Sequence, residues 1–163
     1  MRLPYLAPLA AVAVLAVGVA GHLANGAIYS SVHAREMIEA LSRPALYLGS
    51  AIAASAATTM ALMLTLLGLV RRVDAEFDRT MYRQVYRISM LSALLLAGSV
   101  VMLLLMTMPI GEFDEVPQRW FPTLYTILYW MVVTLSAMLV AMVTLLFSTI
   151  RTLIANVTPH DDI

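Results

Sequence analysis

Four long apolar stretches separated by short polar ones dominate the chain: residues 3–25, 44–70, 88–110 and 121–150. None contains Asp, Glu, Lys or Arg, and His22 stands near the end of the first. A helix rises about 1.5 Å per residue and needs about 20 residues to cross a hydrocarbon core of about 30 Å, so each stretch is long enough to span a bilayer. Helix is the form required, because each unpaired backbone amide in lipid costs several kcal/mol. The period-two alternation of an outer-membrane barrel strand is not visible. The pattern predicts an all-α integral membrane protein with a single domain over residues 1–163. Its expected architecture is an antiparallel four-helix transmembrane bundle with short connections and both termini cytoplasmic. The fourth stretch exceeds what a crossing needs and is expected to tilt, or to project toward Arg151 on the cytoplasmic side.

The connections have their own patterns. Residues 30–42 read as an amphipathic outer segment lying on the membrane surface. Ser30 or Ser31 would cap it, Met37, Ile38 and Leu41 would form its apolar face, and Pro44 would open the second span. Residues 71–87 contain neither Gly nor Pro, and Val73, Phe77, Met81 and Val85 recur every four residues. That spacing predicts a cytoplasmic helical hairpin, with Asp78 or Thr80 capping the returning helix. Pro109 to Pro122 is broken by Gly111 and Pro117 and reads as a loop, and the segment after Ile154 reads as a polar tail.

Arginine placement sets the expected orientation. Arg2, Arg71, Arg72, Arg79, Arg83, Arg87 and Arg151 fall on one side, and Arg35, Arg43 and Arg119 on the other; seven against three places the former in the cytoplasm. Tyr29, Tyr47, Trp120, Phe121 and Tyr125 would mark the outer interface, and Tyr5, Tyr82 and Tyr86 the inner one. The rival reading of the first stretch is a cleaved signal peptide ending near Leu23–Ala27. The length of its apolar run and the presence of Pro4 and Pro8 speak against this.

Composition strengthens the membrane reading. The chain is 61% hydrophobic and 12% charged, where soluble domains sit near half apolar and a quarter charged. Formal net charge is zero, which gives no field to attract nucleic acid. With no cysteine, disulfides, thiolate metal sites and a cysteine nucleophile are excluded.

Small residues predict how the helices meet, since close packing replaces the hydrophobic effect between helices in lipid. Gly49, Ala53 and Ala57 form one run. Thr134, Ala137, Ala141, Thr144 and Ser148 form another, and Ala13, Ala16, Ala20 and Ala27 a third. Their hydroxyls read as packing glue with interhelical hydrogen bonds, or alternatively as a pore lining.

Candidate chemistry is sparse. The spans hold no Asp, Glu, Lys or Arg, which argues against a proton-coupled transporter and a voltage sensor. A haem held by two histidines would need a second intramembrane histidine, and no cofactor is expected. On the outer side His33, Glu36 and Glu39, with Glu112, Asp114 and Glu115, have donors suited to a divalent cation. Solvated residues paired with nearby arginines explain the same pattern. The methionine pairs Met102–Met106 and Met138–Met142 suggest copper(I) less than flexible filler. Arg79, Arg83 and Arg87 form a stripe at headgroup level that suits anionic lipid. No nucleophile motif or phosphate-binding glycine loop is present. The sequence therefore predicts a non-enzymatic multi-pass subunit of the cell membrane, partnered by the bilayer and by copies of itself or other membrane proteins. The alternative is a homo-oligomeric ion pore with a hydroxyl-lined path and an acidic outer vestibule.

Overall fold

The computed structural model describes residues 6–24, 31–70, 79–107 and 120–157. They form four helices: α1 (Leu6–Ala24), α2 (Ser31–Val70), α3 (Arg79–Thr107) and α4 (Phe121–Val157). All four are long and apolar enough to cross a membrane. No strand occurs among the described residues.

Two elements run further than the sequence pattern suggests. Residues 31–42 are not a separate surface helix but the first three turns of α2, which continues through Pro44 to Val70. Pro44 therefore lies inside a helix rather than at its start. Its ring removes one backbone hydrogen bond and crowds the preceding turn. An otherwise unbroken run of helix-compatible residues on both sides carries the helix through it. Similarly, α4 extends through Arg151 to Val157, so the helix includes residues read as tail. Thr80 lies within α3 rather than capping it, while Asp78 falls outside the described residues along with most of the expected 71–87 hairpin.

The core is built from repeats of three and four. Ala45, Gly49, Ile52, Ala56, Thr59 and Met63 are buried along α2, and Ile88, Ser92, Leu95, Ser99 and Met102 along α3. Steps alternating between three and four average 3.5 residues, which keeps a seam on one side of a packed helix pair. In α4 the matching positions Leu128, Leu135, Met142 and Thr149 recur every seven residues. These three helices share one apolar cluster, with Ile52, Leu95, Met102 and Met142 wholly buried in it. By contrast, α1 packs chiefly against α4.

The expected small-residue runs are only partly in these seams. Gly49 is buried against Met102 and Leu103, yet Ala53 is half-buried and Ala57 exposed. Successive steps of four turn 400°, so such a run drifts about 40° per step off the contact face. In α4, Ala137 is buried, Ala141, Thr144 and Ser148 are half-buried, and Thr134 is exposed. Ala13, Ala16 and Ala20 all face outward, because the docked face of α1 is Ala7, Ala11, Val14, Gly18 and Gly21.

Candidate functional site

The densest polar and aromatic grouping among the described residues lies where the end of α1 meets the beginning of α4. Gly18 and Gly21 are one turn apart and open a notch in α1. A Cβ at Gly21 would stand 2.6 Å from the Tyr129 hydroxyl oxygen, and one at Gly18 would overlap the Val133 side chain. Into that notch Tyr129 donates its hydroxyl to the Gly18 carbonyl at 2.7 Å. His22 lies beside it, its ring centroid 5.7 Å from that of Tyr129 and 5.8 Å from that of Trp130. Tyr125 stacks on Tyr129 at 6.0 Å, and Trp130 meets Tyr129 edge-on at 6.1 Å.

This clasp binds one helix to another. Tyr125 is 4% exposed, because it stands one turn before Tyr129 on the face that α4 turns toward α1. Tyr47, Trp120, Tyr82 and Tyr86 are exposed. In the sequence the signal for this clasp is the coincidence of Gly18, Gly21 and His22 with Tyr125, Tyr129 and Trp130 at the same expected depth of two spans, a pattern that His22 considered alone as a haem ligand does not reveal.

The hydroxyls behave mainly as internal helix acceptors' partners. Thr58, Thr65, Ser89, Ser136 and Thr144 each donate to the carbonyl four residues back, at 2.7–3.0 Å. Ser92 does the same to Ile88 at 2.9 Å and also lies 3.2 Å from the Met142 sulfur across the α3–α4 seam. Most of the expected interhelical glue is therefore spent inside single helices, where a nearby carbonyl is always within reach of a short side chain.

Of the six metal candidates, three lie among the described residues. His33, Glu36 and Glu39 follow one another along α2, and Glu39 is exposed. Glu112, Asp114 and Glu115 lie outside the described residues. No group of three His, Cys, Asp or Glu among the described residues is placed to hold a metal. Arg83 and Arg87 are exposed on α3, and Arg79 is its first residue.

A second feature is a surface. On α2, Tyr47, Ala51, Ala54, Thr58, Ala61, Thr65 and Gly68 are all exposed, again at alternating steps of four and three. They lie a half-turn from the buried seam. A Cβ at Gly68 would meet nothing within 4 Å, whereas one at Gly18, Gly21, Gly49 or Gly98 would touch a neighbouring helix. Compared with known proteins, the chain matches no family model, no curated protein and no solved structure.

Proposed function

We propose that the chain is a non-enzymatic, multi-pass subunit of a cell-membrane complex that associates with a second copy of itself through the outward face of α2. The observation that carries this reading is the exposed stripe from Ala51 to Gly68, which repeats the spacing of the internal seams without a partner helix. In lipid, small side chains gain little from exposure to acyl chains but let two backbones approach closely. Its hydroxyls at Thr58 and Thr65 are already bonded within α2, so a second helix can cover them without stranding a donor.

The bundle is antiparallel in this reading, with the termini in the cytoplasm. Contacts supporting it run in opposite registers: Gly98 meets Leu135 while Ser92 meets Met142, and Gly18 meets Val133 while Gly21 meets Tyr129. The arginine count supports the orientation.

The absence of cysteine makes a direct test simple. Single variants Ala54→Cys and Ala61→Cys, oxidised in native membranes, are expected to give a disulfide-linked dimer, while Leu94→Cys on the outward face of α3 stays monomeric. Equal cross-linking at all three positions, or none at any, refutes association through α2. A homo-oligomeric pore is a second reading, favoured by the exposure of Thr58 and Thr65 on that same face and by the outer acids Glu36, Glu39, Glu112, Asp114 and Glu115. It requires that neutralising those acids lower cation conductance in reconstituted bilayers.

A further inference from the structure

The outward face of α3 carries two chemistries in series. Arg83 and Arg87 are exposed, and they lie on the side of the helix away from Ile88, Ser92, Leu95, Ser99 and Met102. One turn further along, the same face becomes apolar: Met90, Leu94 and Val101 are 53%, 52% and 51% exposed. Tyr82 and Tyr86 flank the cationic end and are also exposed. At about 1.5 Å per residue, Met90 to Val101 covers about 17 Å, close to the ~15 Å hydrocarbon depth of one leaflet.

Neither arginine is stabilised by its own helix. α3 contains no acidic residue, and among the described residues neither arginine has an ion-pair partner. An anion supplied from outside would give both a partner. The face differs from that of α2 in a way that selects its occupant: large flexible side chains suit acyl chains, while small ones suit another helix.

We propose that this face binds an anionic phospholipid, with the phosphate on Arg83 and Arg87 and one acyl chain along Met90, Leu94 and Val101. The site is independent of association through α2. A free phosphate would use only the cationic half, and the continuous apolar half commits the occupant to a membrane lipid.

The test is native mass spectrometry of the full chain released from vesicles of equal phosphatidylglycerol and phosphatidylcholine. At the near-surface value for two arginines, phosphatidylglycerol should be retained over phosphatidylcholine by about thirtyfold. Arg83→Gln/Arg87→Gln should bring the ratio near unity. Arg151→Gln should leave it unchanged, although the Ser92–Met142 contact sets Arg151 and Arg83 each nine residues away and therefore near one level. Equal loss in Arg151→Gln would mean general surface charge and overturn the site. So would a wild-type ratio near unity, or displacement of the lipid by millimolar inorganic phosphate. Should the double variant fail to insert, Leu94→Glu supplies the second arm: it keeps both arginines and must still lose the lipid, and retention would overturn the proposal.

Discussion

Gly21 and Tyr129 show how one missing methyl group creates a contact. The Tyr129 hydroxyl occupies the space beside Gly21 and bonds the carbonyl of Gly18. Removing the hydroxyl in Tyr129→Phe costs the bond but keeps the ring, so a loss of about 0.6 kcal/mol is expected, the average for such bonds between membrane helices. Gly21→Ala should cost more, about 1–3 kcal/mol, because the new methyl displaces the hydroxyl and forces the ring to shift. The two losses should not add, since each removes the same contact. Unfolding of wild-type, single and double variants in mixed micelles measures this coupling, and simple additivity would show that the bond and the notch act separately. None of this was legible from either span alone. A glycine pair predicts close approach, but only the neighbour's identity reveals a tyrosine hydroxyl rather than an alanine.

At the scale of elements, the sequence was most readable where physics leaves one solution. Four uncharged stretches in a chain that must satisfy its backbone in lipid can only be helices, and each became one. Helix limits were less legible. Pro44 resembles a helix start by propensity, yet α2 passes through it with Ser42 donating to the Glu39 carbonyl at 2.7 Å in the turn before. The packing faces were legible only through their spacing. Gly49, Ala53 and Ala57 share composition with a seam but drift around the helix, while Ala45, Gly49, Ile52, Ala56, Thr59 and Met63 hold one side despite their mixed sizes. Of the candidate metal residues, His33, Glu36 and Glu39 fall on α2, while Glu112, Asp114 and Glu115 lie outside the described residues. Pro44 offers a test at this scale. Pro44→Ala restores the missing backbone bond at an exposed position and should stabilise α2 by up to about 3 kcal/mol. A lower melting temperature in Pro44→Ala would instead mean that the proline sets a bend that the fold needs.

The whole molecule divides unevenly. α2, α3 and α4 share one buried cluster, whereas α1 is held chiefly by α4. In the apolar window of α1, 11% of residues are buried, against 28% in that of α3, and Leu9, Val12, Val17 and Leu23 all face outward. Stability in such a molecule is expected to be stepwise, with the least-buried element opening first. Cysteines placed at Ala7 and Ala56, both buried, would report the two parts in the otherwise cysteine-free chain. As denaturing detergent rises, the thiol at residue 7 should react before the thiol at residue 56. Fraying at the end of α1 would produce the same order, so the discriminating variant is Tyr129→Phe, whose contact with Gly18 lies far along α1 from Ala7. If α1 leaves as a unit, that substitution moves labelling at residue 7 to lower detergent and leaves residue 56 in place. Fraying alone would leave both unchanged, and a single cooperative bundle would shift both together. The clasp of Gly18, Gly21 and Tyr129 would then be the point at which α1 is fastened to a three-helix core that does not depend on it.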